Sequence, residues 1–351
     1  MQFTCDVSCV VPVKNGGDYV GPCLESLLAQ QFDGTFEVCI YNDGSTDQTE
    51  EIIESYREKF KGRGIEYRTN SGSPSKGVGY AKNEAVSMGQ GRFLCFCDAD
   101  DLSRVNRLQV LHSLALACPT PDSVFLGSCF ERDPPGSTER FARWANGARA
   151  DQLYNQIYTS HGPPLVAPTW FVARCLYCKV GGFNSEHPKG YPEDLDFFYR
   201  ALRCGAVLDK SPFSLVVYRY HSGCETFSVK EETIWEMRLR EVERRVLEGW
   251  KEFTIWSGGK QGKRLYKSLS PSLRAGVVAF CDVDARKVTR GVHEEFDAQA
   301  RTVVARVPIV GIREAKPPLI ICVKQDLTGG DLERFVAEKN LKEGADYVHF
   351  G

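Results

Sequence analysis

The chain has 351 residues, of which 26% are charged and 42% hydrophobic, and its formal net charge is −2. That length admits two domains, or one domain with an appendage, and the composition is that of a globular protein rather than a disordered, collagen-like or disulfide-rich one. No stretch of about 18 apolar residues occurs, which argues against a membrane span.

The N-terminus, MQFTCDVSCVVPV, runs into an apolar segment with no basic leader, so no signal peptide is expected. VSCVVPVKN, residues 7–15, reads as a buried strand ending at Pro12 and Asn15. Leu24, Leu27 and Leu28 then mark a helix over about 20–30. FEVCIYNDGSTD, residues 36–47, is a second strand that finishes in Asn42, Asp43, Gly44 and Ser45. Ile52, Ile53 and Tyr56 predict a helix over about 47–60. RFLCFCDADD, residues 92–101, is a third strand ending abruptly in Asp98, Asp100 and Asp101. Strand, helix, strand, helix, strand implies a parallel sheet with right-handed crossovers, so the three polar ends converge on one rim. Clustered carboxylates at such a rim repel each other unless a cation or hydrogen-bond donors offset them. Hard oxygen ligands suit Mn2+ or Mg2+, and such ions commonly hold a substrate phosphate; a solvated acidic turn is the plain alternative.

Further along, Leu108, Leu111 and Leu114 predict a helix, SVFLGSCF a strand, and the polar ERDPPGSTERFARW a loop over the site. YPEDLDFFYRAL, residues 191–202, places Glu193, Asp194 and Asp196 at the start of a helix, where acidic side chains also serve simply to complement the dipole. LVVYRYH is a strand leading to His221.

Four of these segments, in order and in register, resemble the nucleotide-binding half of a family 2 glycosyltransferase with the GT-A fold. They are PVKN at 12–15, DGSTD at 43–47, GVGYAKN at 77–83 and DAD at 98–100, with Lys82 where that family usually has Arg. The resemblance covers about residues 5–225. It implies a GT-A α/β domain over 1–225, an inverting sugar transfer from a UDP-sugar, and a divalent cation, Mn2+ or Mg2+, as cofactor. By the same resemblance Asp194 is the catalytic base, and Asp100 and His221 are the metal ligands. Pro12, Val13, Asn15, Asp43, Lys76, Gly77, Asn83, Asp98 and Ala99 line the donor, with Asp43 reading the uracil. Trp170 and Glu193 are candidates on the acceptor side.

Residues 226–250 read as a solvated linking helix of mixed charge. Residues 251–351 then read as a smaller, degenerate Rossmann-like α/β module. FTIW, the Gly-rich SGGKQG, a helix and AFCDVD follow the order of a βαβ unit, with Ser257 in place of the first glycine and Asp282 where a ribose-binding acid would stand. Charge is uneven: residues 1–234 carry 23 Lys+Arg against 29 Asp+Glu, whereas 235–290 carry 13 against 7. A basic surface there, including Lys263 and Arg264, suits a phosphate backbone, and solvation of a helix explains it equally.

Taken with the PTWF, PEDL, FTIW and DLTGG segments, the whole chain resembles transferases that galactosylate tRNA. That implies UDP-galactose as donor and queuosine in the anticodon of tRNA-Tyr as acceptor. Transfer of N-acetylglucosamine to a glycan or protein, an inactive nucleotide-sugar-binding module and a dinucleotide-dependent enzyme remain alternatives. Fourteen cysteines lie mostly in apolar runs, as buried free thiols do in a reducing compartment, and Cys175-x-x-Cys178 has no second pair at zinc spacing. A cytoplasmic protein without membrane attachment is expected.

Overall fold

The computed structural model describes residues 3–187, 189–221, 223, 229–297, 299, 301–324 and 328–351. The start of the expected linking helix (226–228) and the first two residues of DLTGG lie outside them. The chain forms two compact units, one of residues 1–153 and 164–234, the other of 154–163 and 235–351.

The strands of the first unit are β1 (Cys5–Val13), β2 (Phe36–Asn42), β3 (Glu66–Ser71), β4 (Gly91–Phe96), β5 (Leu102–Ser103), β6 (Val124–Asp133), β7 (Phe171–Ala173) and β8 (Val207–Arg219). They make one sheet in the order β3-β2-β1-β4-β7-β6-β8-β5. β3, β2, β1 and β4 run parallel, β7 is antiparallel to β4 and to β6, and β8 returns parallel to β6. Covered on both faces, β1 reads as a continuous apolar run, with Val7, Cys9, Val10 and Val11 fully buried. Because β2 and β4 flank β1 on opposite sides, the strand order reverses at β1, and the carboxyl ends beside such a point are where open α/β sheets hold ligands.

Two elements differ from the sequence expectation. The predicted helix over 47–60 is broken into Thr49–Ser55 and Arg57–Gly62. The polar segment expected to be a loop contains a helix, Glu139–Gly147, whose Phe141 and Trp144 pack on Phe130, Val166 and Val216.

The second unit holds β9 (Phe253–Trp256), β10 (Val277–Asp282), β11 (Val292–Asp297), β12 (Thr302–Gly311), β13 (Leu319–Ile321) and β14 (Tyr347–His349) in the order β11-β12-β10-β9-β13-β14. Apart from antiparallel β11, all are parallel. Counting the parallel strands in chain order gives 3-2-1-4-5, a doubly wound arrangement. The core gathers Trp256, Cys281, Leu319, Ile321, Leu332 and Phe335. Gly262 lets the helix Lys260–Ser268 press on the strand end, because a Cβ there would lie 1.9 Å from the Ser257 carbonyl oxygen. The helix Glu231–Val242 buries Trp235, Arg238, Leu239 and Val242, so its C-terminal part is a packed element of this unit and not a solvated connector.

Candidate active site

The first wall of the crevice is built by hydrogen bonds between strand-end loops. Asn15, held at φ 47°, donates its backbone N–H to Ser45 Oγ at 2.8 Å, and its side-chain oxygen accepts from Thr46 N at 2.8 Å. Asp43 is 2% exposed; Oδ1 accepts from Lys76 N at 2.8 Å, and Oδ2 accepts from Gly77 N at 2.8 Å and Ser75 Oγ at 2.7 Å. Gly77, at φ 95°, turns the chain into the helix Val78–Met88, and its left-handed backbone suits glycine. Asp43 therefore orients this loop, while Lys76 extends over the Tyr80 ring with Nζ 4.4 Å from its centre. Pro12 and Val13 are buried at the end of β1, and the Val13 carbonyl accepts from Asp43 N at 2.8 Å.

The second wall is the turn after β4. Asp98, Asp100 and Asp101 each present a carboxylate oxygen within 4.8 Å of the others. Asp101 is buried: Oδ1 accepts from Arg219 N at 2.8 Å, and Oδ2 has no hydrogen-bond partner among the described residues. Burial, then Asp100 and Asp98, push its carboxyl well above the usual range. Arg219 also donates through Nε to the Asp100 carbonyl and through Nη2 to the Tyr19 carbonyl at 3.1 Å. His221 Nε2 lies 3.0 Å from Asp100 Oδ2, and its ring stacks on Tyr19 with centroids 4.4 Å apart. Two half-buried carboxylates and one buried carboxyl at this spacing, with an imidazole 3.0 Å from Asp100, fit a hard divalent cation, with Asp98, Asp100 and His221 as the groups that would hold it. Ala99 is buried between the two flanking aspartates.

The third wall is the start of the helix Glu193–Arg203. Glu193 Oε1 accepts from Lys82 Nζ at 2.9 Å, and Lys82 is 4% exposed. Burial by itself would lower the Lys82 pKa; Glu193, Asp98 and Asp194 outweigh it and hold the ammonium above its ordinary value. Asp194 is pushed up to about 6, by burial first and by Glu193 second, against the pull of Lys82. Asp98 is likewise pushed up to about 6 by burial, with Asp100 and Glu193 adding and Lys82 subtracting. One buried cation thus serves three carboxylates, and two of the three remain poised to exchange protons near neutrality.

The structure brings Asp98, Asp100, His221, Lys82, Glu193 and Asp194 together. Other expected residues are placed differently. Trp170 is not available to an acceptor: it is 1% exposed, packs against Phe96, Phe125, Phe183 and Phe197, and donates its indole N–H to the Leu165 carbonyl at 2.8 Å. Asn83, expected at the donor, spends its carboxamide on structure. Nδ2 donates to the Phe183 carbonyl at 2.9 Å, while Oδ1 accepts from Phe183 N at 2.8 Å and Tyr177 OH at 2.6 Å. In the second unit Lys263 and Arg264 share the helix Lys260–Ser268, and the Arg264 guanidinium sits 3.9 Å over the Trp235 ring. Arg238, part of the expected basic surface, is buried and donates to the Tyr158 and Phe350 carbonyls. Sequence reading passed over Arg219 as a site residue and treated Lys82 as a minor departure. The signal for Lys82 was a cation inside an otherwise apolar helix face of the GVGYAKN motif.

Residues 8–174 match the model described as Glycosyl transferase family 2, and the fold is the GT-A fold with a smaller α/β module following it. Among curated proteins, the chain is 41% identical over 95 residues to the poly(ribitol-phosphate) beta-N-acetylglucosaminyltransferase TarS of Staphylococcus aureus, covering 27% of this chain and 16% of TarS. It is 32% identical over 116 residues to the uncharacterized glycosyltransferase YibD of Escherichia coli, covering 33% of this chain and 32% of YibD. An uncharacterized glycosyltransferase of Rickettsia felis is 25% identical over 249 residues, covering 67% of this chain and 38% of its own length. The chain therefore spans well under half the length of these relatives. Crystal structures of S. aureus TarS share the fold. Residues 1–349 of TarS in complex with UDP-GlcNAc superpose with a TM-score of 0.51 at 21% identity, covering 68% of this chain and 66% of that one. A longer TarS structure gives 0.52 at 19% identity, covering 78% and 50%. Among the described residues, no helix is long and apolar enough to cross a membrane.

Proposed function

We propose that the first unit is an inverting glycosyltransferase that takes a sugar from a UDP-sugar. The observation that carries this reading is the Lys82 cluster, in which Asp194 and Asp98 are both pushed up to about 6 around one buried ammonium. A base for hydroxyl deprotonation needs a pKa near the working pH and a place beside the donor; Asp194 combines the two. Asp98, Asp100 and His221 would hold a divalent cation, Mn2+ or Mg2+, which would offset the charge of the donor diphosphate as UDP departs. The loops around Asn15, Asp43, Lys76 and Gly77 cradle the uridine. Glu193 holds Lys82, and Lys82 holds the two working carboxylates in register. One base and one leaving-group site suffice for inversion, and no covalent intermediate is required.

The finer reading is galactose transfer from UDP-galactose to queuosine in the anticodon of tRNA-Tyr, with Lys263 and Arg264 on the surface that meets the tRNA. Support comes from the resemblance of the whole chain and from the basic excess over 235–290. The complex of TarS with UDP-GlcNAc favours a second reading, transfer of N-acetylglucosamine to a glycan or protein. Incubation of the purified chain with each UDP-sugar and queuosine-containing tRNA, followed by mass spectrometry of the nucleosides, separates the two. A hexose added to queuosine supports the first. UDP release from UDP-GlcNAc with the nucleosides unchanged supports the second. The variant Lys263→Glu is expected to weaken tRNA binding several-fold while sparing UDP-sugar hydrolysis.

A further inference from the structure

Two thiols just before Asp98, Cys95 and Cys97, and a third on β1, Cys9, are left unused by the transferase reading. Cys95 and Cys97 are two residues apart, so the strand's period of two puts both side chains on one face. Cys9 stands opposite Cys95 in the parallel pairing of β1 with β4 and shares that face. The three sulfurs lie within 4.8 Å of one another, with Cys95 and Cys97 at 3.8 Å, and all three residues are at most 2% exposed. An ion at the usual zinc–sulfur distance of about 2.3 Å, in the plane of three sulfurs, needs them about 4.0 Å apart.

A second observation concerns Arg107, which is 1% exposed. Its Nη1 points at Cys97 Sγ at 3.6 Å and at Ser103 Oγ at 3.0 Å, and Nη2 donates to the Phe96 and Pro168 carbonyls at 2.7 and 2.8 Å. Nε has no hydrogen-bond partner, and no carboxylate forms an ion pair with this guanidinium among the described residues. A buried cation without an anion is costly. Three thiolates leave one net negative charge around Zn2+ and two around Cu+, and Arg107 offsets one of them.

We propose that Cys9, Cys95 and Cys97 form a dry three-sulfur site for a thiophilic d10 metal ion, Zn2+ or Cu+, with Arg107 as its counter-charge. Binding releases the thiol protons to solvent. Because the thiols are enclosed, loading accompanies folding or a local opening, and an occupied site ties the middle of β1 to the end of β4, after which Asp98 follows.

The full chain, produced in medium containing zinc and copper and purified with a thiol-free reductant, is dialysed against EDTA and analysed by inductively coupled plasma mass spectrometry. The wild type and Cys178→Ala, which removes an exposed thiol, are expected to retain about one equivalent, with Cys9→Ala and Cys95→Ala at least about tenfold lower. Whether zinc or copper is retained identifies the ion. Wild-type content no higher than that of Cys95→Ala overturns the proposal, as does equal retention in all variants. If the alanine variants do not fold by circular dichroism, wild type refolded with Co2+ decides: thiolate-to-cobalt charge-transfer absorption supports the site, and its absence rejects it.

Discussion

The two units carry the same kind of crevice and treat charge in opposite ways. Each has parallel strands whose order splits beside the first strand, β1 in one and β9 in the other, and each places an aspartate at a neighbouring strand end. In the second unit that aspartate is fully spent. Asp282 Oδ2 accepts from Gly258 N at 2.9 Å and Lys287 Nζ at 2.7 Å, and Oδ1 accepts from Asp284 N at 2.9 Å. In the first unit Asp98, Glu193 and Asp194 gather around one buried lysine with Asp100 and Asp101 in the adjoining turn, and three of the five are pushed up in pKa. Topology supplies a rim in both cases. An excess of uncompensated carboxylate, not the winding of the sheet, separates the proposed site from a folding device.

The largest break in this contrast comes from Asp194, the proposed base. Asp194→Asn is expected to lower turnover by about 10^3-fold, within the range for removal of a general base, with UDP affinity changed only a few-fold in calorimetry. Retention of wild-type turnover removes Asp194 from the mechanism.

Lys82→Met tests the shared cation. Removing one partner of a buried charge cluster costs about 3 kcal/mol or more, measurable as a lower midpoint in urea. With the ammonium gone, Asp98 and Asp194 shift further up, so the acidic limb of kcat/KM moves above pH 6. Lys82→Arg keeps the charge and is expected to keep that limb in place.

The pH dependence follows from the same groups. Both aspartates have folded pKa values of about 6, above the ordinary 3.8. Folding therefore binds protons, and their contribution to stability is present at low pH and lost as pH rises through 6. Asp98→Asn is expected to stabilise the ligand-free chain at pH 8 by about 1 kcal/mol, after allowance for solvent screening of a half-buried group, and to flatten stability between pH 4 and 7. A loss of stability at pH 8 contradicts the strained-carboxylate picture.

The smallest effect on activity is expected from the satisfied crevice. Asp282→Ala leaves the Gly258 amide and Lys287 without their partner, costing about 1–2 kcal/mol in urea unfolding while UDP-sugar hydrolysis stays unchanged. NAD is expected to show no heat of binding to either form.

Contiguous signals made much of this legible from the residues. An apolar run followed at once by DGSTD or DAD encodes both the strand and its polar end, because side-chain burial and turn chemistry act over a few residues. The βαβ unit starting at β9 is local in the same sense. Trp170, Asn83 and Arg238 were misjudged because their types suit a site and a core equally, and burial separates the two. Tertiary structure alone decided which charges meet: Lys82 and Glu193 are 111 residues apart, and Asp100 and His221 are 121 apart. Coulomb energy and desolvation depend on separation in space and on what surrounds each group. The sequence by itself thus determined where carboxylates stand on strand ends, and the folded chain determined which of them stay uncompensated.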